Sequence, residues 1–436
     1  MRRRDATEAC QREGGAGHRP SRRRAPIALA ALAALALLSL QTADARGKIA
    51  IGPPSALAST ATTVGFWAGE AVPGTDWSSP DTYWNRRSTR VYTPQLWNVL
   101  RRNRVPLYFN LRYRRDFGAV PPGEPHRHDG LAILRKANRL GIPVWGWVLI
   151  PYADGYWAWE GAAGEQFAAV RALVHWMRTK RVRLQGLVLD PESPLRTPFE
   201  TAAAVLGGGG AASSSLLHPA IDPASQCAAW RGYSHISRWA NRHHVNLAAA
   251  PAPAALDDLD DGRLALQDAA QFIVPDAPWH ALFFQAYRSV FAYFSGHDPG
   301  PGIVSSYFHS AQREYGSVGQ ISLGSAGRRG YKRLASLVHD VRLAATLGAR
   351  EVPIYSLERT LRAYGGPRAV TQLVRAAGRP FTGSTAAEAA APTTEAGAQR
   401  AAIRHTDRAL AGATPTLTAE NPPSASANRW PNGCNG

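Results

Sequence analysis

IPVWGWVLIP (residues 142–151) and LQGLVLDPE (184–192) are two short apolar runs, rich in β-branched and aromatic residues, with one amphipathic segment between them. In that segment, 164–181 (GEQFAAVRALVHWMRTKR), Phe167, Val170, Val174 and Met177 recur at i, i+3, i+7 and i+10, the spacing of a helical face. A strand, a helix and a second strand follow one another directly. That is the βα repeat of a parallel sheet.

The same alternation extends in both directions. Upstream, Thr62–Gly69 and Val105–Tyr113 read as strands, and Asp129–Leu140 as a helix closed by Gly141 and Pro143. Downstream, a helix around Ala224–Arg242 leads to a strand at Val245–Ala250. Ala281–Ser289, Val318–Ser325 and Val352–Glu358 supply three more strands. Leu334, Leu337, Val338 and Val341 mark a helix between the last two strands, and Leu361–Gly378 is the expected final one. Eight strands alternating with helices predict an α/β fold, a (β/α)8 barrel of the TIM type, over residues 62–378. The competing open doubly wound sheet would need a phosphate loop after its first strand. Neither GxGxxG nor GxxxxGK[ST] occurs.

The ends read differently. Arg22–Arg24 precede an apolar run of 14 residues, Ile27–Leu40, and then Ala43-Asp44-Ala45. These are the three parts of a secretory signal peptide over 1–45, and the run is shorter than the roughly 20 residues that span a bilayer. A polar linker (46–61) follows, and a Gly- and Ser-rich flexible insertion is expected near 198–223. From 379 to 436, Ala, Thr, Pro and Ser dominate without periodicity, which predicts a disordered tail. The protein is therefore expected to be secreted or wall-associated, with no membrane segment once the leader is removed. Its three cysteines show no zinc spacing. Cys10 leaves with the leader, and an oxidising compartment permits a bridge between Cys227 and Cys434.

The net charge of +18 invites a nucleic-acid or acidic-polymer reading. Only four of the 50 basic residues are Lys, however, and the only methionines are Met1 and Met177, a pattern of genome composition bias. Eight arginines and four acids leave with the leader, which lowers the net charge by four. No block of interleaved basic and aromatic residues suggests nucleic acid. His126, His128, His243 and His244 lack the third ligand of a zinc site, so neither metal nor cofactor is expected.

Barrel enzymes work at the C-terminal ends of their strands. The fourth strand ends in Asp190 and Glu192, two residues apart and so on one face, about 7 Å apart along the chain. Leu187 and Leu189 then face the helices, while Gly186 and Val188 fill the barrel. Like charges that close resist joint ionisation, so one carboxyl keeps its proton and becomes a general acid. That is what cleavage of a glycosidic bond requires. Glu358, at the end of the eighth strand, is a further candidate carboxylate, with a surface salt bridge to Arg359 or Arg362 as the alternative. Glu70 ends the first strand similarly.

This strand-four DxE in a secreted βα barrel resembles the chitinase-like (family 18 type) glycoside hydrolases, whose strand ends DxxDxDxE. On that pattern Gln185, Val188, Asp190 and Glu192 occupy the four acidic positions, and the last two carry the acids. The resemblance implies Glu192 as the acid and Asp190 as the partner that orients a substrate N-acetyl group. It also implies a substrate-orienting role for Tyr287, next to Gln285, on the sixth strand. Family 25 type lysozyme-like barrels carry a similar acidic pair.

Asn110 and Arg112 share a face of the second strand and suit hydrogen bonding to sugar hydroxyls. The aromatics after the third strand divide by position. Trp145 and Trp147 read as core, while Tyr156, Trp157 and Trp159, on a loop, read as rings that stack on sugars. The reading is a secreted glycoside hydrolase-like barrel whose partner is an extracellular or cell-wall polysaccharide. The rivals are a barrel that binds carbohydrate without catalysis and a basic wall protein that holds anionic polymer. Oligomeric state is not legible.

Overall fold

The computed structural model describes residues 61–69, 91–119, 129–194, 222–391, 393–413 and 434. The leader, most of the linker, most of the insertion near 198–223 and Glu70 lie outside the described residues. Eight parallel strands close into a barrel in chain order. The first half comprises β1 (Thr63–Ala68), α1 (Pro94–Arg102), β2 (Leu107–Arg112), α2 (Asp129–Arg139), β3 (Val144–Leu149), α3 (Ala163–Lys180) and β4 (Gly186–Leu189). The second runs α4 (Pro223–Arg242), β5 (Leu247–Ala249), α5 (Ala254–Asp261), α6 (Ala265–Ala269), β6 (Ala281–Gln285), α7 (Arg288–Phe294), α8 (Gly302–Tyr315), β7 (Gly319–Gly324), α9 (Leu334–Thr346) and β8 (Glu351–Tyr355). After the barrel come α10 (Leu357–Ala363), α11 (Pro367–Ala377), α12 (Ser384–Ala390) and α13 (Thr394–Ala413). Every expected strand is present. The single expected helix 361–378 is instead two, α10 and α11, because Gly365 and Gly366 adopt positive φ ahead of Pro367.

Local chemistry sets the helix starts. Thr93 caps α1 by accepting from Leu96 N at 3.2 Å, and Asp222 caps α4 by accepting from Ala224 and Ser225 N. In both helices a proline follows at the first position, where no backbone N–H is needed.

Alternation along the strands builds two cores. Phe66, Leu107, Phe109, Val144, Leu187 and Leu189 face the helices. Trp67, Tyr108, Trp145, Trp147, Val188 and Phe283 fill the barrel. The filling is lopsided. Trp67 lies 4.9 Å from Tyr108 and 5.1 Å from Trp147, ring centre to ring centre, and Tyr108 lies 5.4 Å from Phe283. Opposite them stand small residues. A Cβ added at Gly186 would sit 2.3 Å from the Trp145 ring and 2.4 Å from the Asn246 carbonyl oxygen. The large rings fit only because their neighbours are Gly and Ala.

The region from 379, expected to be disordered, carries α12 and α13. Ala396, Ile403 and Leu410, each seven residues apart, are buried on one face of α13. Arg400 does the rest. Its guanidinium donates to Asp257 at 2.8 Å and Asp260 at 2.6 Å on α5, and to the hydroxyls of Ser306 and Ser310 on α8 at 2.9 Å. Tyr307 donates to the other Asp257 oxygen at 2.7 Å. A helix docked by one apolar residue in seven and by arginines, Arg404 to Asp257 and Arg408 to Asp261 beside Arg400, shows a sparse hydrophobic pattern, so composition concealed it. Cys434 forms a disulfide with Cys227 of α4.

Removing one partner from a buried ion cluster strands the other charges. Arg400→Leu should therefore cost about 3–5 kcal/mol in urea unfolding at pH 7. Adding Asp257→Asn and Asp260→Asn should restore part of that loss. A single-variant cost under about 1 kcal/mol would show that α13 docks without the cluster.

Candidate functional site

Beyond β4 the chain leaves the strand ladder and runs Asp190-Pro191-Glu192 across the C-terminal rim. Asp190 is buried and continues the inward face of Gly186 and Val188, as the alternation required. It accepts from the Trp147 indole N–H at 3.1 Å and from Gln285 Nε2 at 3.0 Å. The same Gln285 nitrogen donates to Glu192 Oε1 and to the Ala250 carbonyl at 2.8 Å. One amide with two hydrogens thus serves three acceptors. Sharing one amide nitrogen brings the two carboxyl groups closer together than the roughly 7 Å rise between their residues along an extended strand. Gln285, reaching over from β6, draws both inward.

This environment raises both acids. Asp190 stands well above the ordinary carboxylate range, first because it is buried and then because of the Glu192 charge. Burial pushes Glu192 up to about 6, against hydrogen bonds from Gln285 and Asp190 that pull it down. The pair titrates as a unit and keeps one proton near neutral pH.

A cavity of about 170 Å³ opens above the pair. Its walls are six rings: Trp67, Trp147, Tyr156, Trp157, Tyr287 and Tyr355. Trp67 and Trp147 meet at 67°, Trp147 and Tyr355 at 85°, and Tyr156 and Trp157 at 69°. Tyr287 stacks on Tyr355 at 5.9 Å, and its hydroxyl shares a hydrogen bond with Ser322 at 3.2 Å.

The expected site residues thus divide. Asp190, Glu192, Gln285, Tyr287, Tyr156 and Trp157 come together around this cavity. Trp159 does not. Its indole donates to the Asp154 carbonyl at 2.7 Å and closes the loop onto itself, because Gly155 and Tyr156 at positive φ turn the chain back. Asn110 and Arg112 are buried on the inward face of β2 and do not line the cavity. Arg112 stands behind the wall, its guanidinium 5.7 Å from the Tyr156 ring centre.

Glu358 is elsewhere too, and it is not on the surface. Ser356 caps α10 directly after β8, and the first helical turn swings Glu358 toward the end of β1. There it is buried and accepts from Gly69 N–H at 2.8 Å, and its charge, after burial, holds the Tyr92 hydroxyl well above its ordinary range. Its role is to join the first strand to the last.

Trp67, Tyr355, Ser325 and Val290 also line the cavity and were not singled out from the sequence, and Trp147 was read as core. Strand parity carried the missing signal. Trp67 and Tyr355 are the last inward-facing residues of β1 and β8. Among the described residues no His, Cys, Asp and Glu group is arranged to hold a metal ion.

No protein-family model matches the chain, and no curated protein matches it in sequence. Several solved structures are similar in shape. An endo-β-mannanase/endo-β-glucanase of Prevotella bryantii is 13% identical, with 72% of this chain and 48% of that one covered and a TM-score of 0.41. A GH18 chitinase from Pseudoalteromonas aurantia is 11% identical over 72% of this chain and 100% of that one, TM-score 0.37. A GH5-4 broad-specificity endoglucanase from Clostridium acetobutylicum is 12% identical over 72% and 96%, TM-score 0.42. The chain spans about half the length of the first of these. The similarities identify neither a substrate nor a catalytic residue in this chain.

Proposed function

We propose that this protein is a secreted glycoside hydrolase-like barrel that acts on an extracellular or cell-wall polysaccharide, with the Asp190–Glu192 pair supplying the proton for bond cleavage. One observation carries the reading: a proton-holding carboxyl pair forms the floor of an aromatic-walled cavity at the C-terminal rim. Flat rings suit the apolar faces of sugars, and a carboxyl kept protonated near neutral pH suits general-acid attack on a leaving oxygen. Near neutral pH the proton rests on Asp190, the more strongly raised member, and Glu192, the less buried one, relays it to the leaving oxygen. Asp190, held by Trp147 and Gln285, backs it and stabilises the developing positive charge. With Glu358 at the β1 end, one pair does the work. Its carboxyls accept from one and the same Gln285 nitrogen, whereas an acid and a nucleophile in separate roles stand about 5 Å apart or more. The disulfide fits export through the expected leader.

That sharing also favours a second reading. Carboxyls satisfied by one Gln285 amide suit a barrel that binds carbohydrate without turning it over. Glu192→Gln distinguishes the two. In a reducing-end assay against chitin-type and wall glycans, the variant should lose about 10²–10⁴ of the wild-type rate. Equal cleavage by both proteins would remove Glu192 as the acid. Oligosaccharide binding with no cleavage by the wild type would favour the binding barrel.

The same variant should gain stability. A folded-state pKa near 6, above the ordinary 4.5, means the folded protein binds more protons across that interval, so stability falls as pH rises through it. Above pH 6 the cost is about 1–2 kcal/mol, and Gln does not incur it. Urea unfolding should show Glu192→Gln more stable than wild type at pH 7.5 and equal to it at pH 4. Equal stability at both would mean that Glu192 ionises freely.

A further inference from the structure

Charge is distributed unevenly around the cavity. Among the described residues that line it there is no Lys, Arg or His, while Asp190 and Glu192 hold one proton between two carboxyls and so carry a negative charge. Every other large wall is an aromatic face, and several of these meet at steep angles, as the sides of a box do. An aromatic face attracts a cation through its quadrupole, most strongly where water is excluded, and boxes of such rings recognise ammonium groups. The protein itself uses this attraction next door. The guanidiniums of Arg112 and Arg359 stand 5.7 and 5.8 Å from the ring centres of Tyr156 and Tyr355, and neither arginine lines the cavity.

We infer that the cavity takes an ammonium-bearing group and, resting on the glycan reading above, that the sugar seated there is a hexosamine with a free amino group. The alternatives match the walls less well. A uronic acid would bring a second negative charge against the carboxyl pair, and among the described residues that line the cavity no cation offsets it. A neutral or N-acetylated sugar would stack on the rings but leave the pair's charge unanswered in a partly dry site. The other nearby cation, Arg288, is neutralised by Asp298 and Asp340 and does not compete for the pair.

Isothermal titration of the full-length protein at pH 7 tests this. The probes are glucosamine oligomers, N-acetylglucosamine oligomers and glucose oligomers of equal length, with tetramethylammonium as a sugar-free cation. Glucosamine oligomers should bind at least tenfold more tightly than the other two, and tetramethylammonium should compete with them. Glu192→Gln should remove the preference for the amine, so that glucosamine and N-acetylglucosamine oligomers bind the variant within about threefold of each other. Trp157→Leu, at the partly exposed wall, should weaken tetramethylammonium by at least about threefold. Equal or weaker binding of the amine oligomers, or failure of tetramethylammonium to compete, would overturn the inference. The two readings fail separately. Cleavage confined to neutral or N-acetylated glycans defeats the hexosamine assignment and keeps the hydrolase. Amine binding without cleavage of any glycan keeps the ammonium site and defeats the hydrolase.

Discussion

The pairing of β1 with β8 makes a ring out of what would otherwise be a sheet. Thr63 lies opposite Glu351 and Phe66 opposite Ile354. The Gly69 N–H reaches Glu358 across 289 residues of chain, a clasp just beyond the last paired residues. Because every strand is parallel, closure brings all eight C-terminal ends to one rim. Trp67, Trp147, Asp190, Gln285 and Tyr355 lie on five different strands or their immediate extensions, and only closure lets them share one cavity.

The uneven filling of the interior serves the same end. Rings from β1, β2 and β3 crowd one side and meet Phe283 reaching in from β6, while Gly186, Ala248 and Ala250 keep β4 and β5 low. The low side leaves room for Gln285, at the end of β6, to reach along the rim to the Ala250 carbonyl after the neighbouring β5 and to both carboxyls after β4. Larger residues on β5 would fill the space that this amide crosses. Packing below the rim thereby governs the electrostatics at the rim, since Gln285 gathers the acids whose burial then raises them.

Much of this was legible in the sequence. The βα alternation marked the eight strands, and parity along LQGLVLDPE correctly sent Asp190 inward and Leu187 and Leu189 outward. Parity also governed Trp67, Trp147 and Tyr355, but a lone aromatic within a strand reads as core until its height in the barrel is known. Glu358 lies outside the cavity lining because strand ends and helix starts adjoin: Ser356 ended the extended chain two residues earlier and the first turn of α10 sent the acid to the end of β1. The C-terminal helices were hidden for a different reason. Their docking depends on alanines and on Arg400, Asp257 and Asp260, whose pairing spans 140 residues or more and leaves no local trace.

The bridge between Cys227 and Cys434 encloses 207 residues of chain. Strands β5 to β8 fall inside that loop and β1 to β4 lie outside it, so the oxidised polypeptide is a lasso, one half-barrel on the noose and the other on the free rope. Unfolded, the noose half stays confined while the rope half explores freely, and the chain-entropy account assigns the closure about 5 kcal/mol. The two halves therefore lose different amounts of freedom when they zip together at β1–β8 and β4–β5. A reducing environment would erase that asymmetry without touching a single residue of the rim.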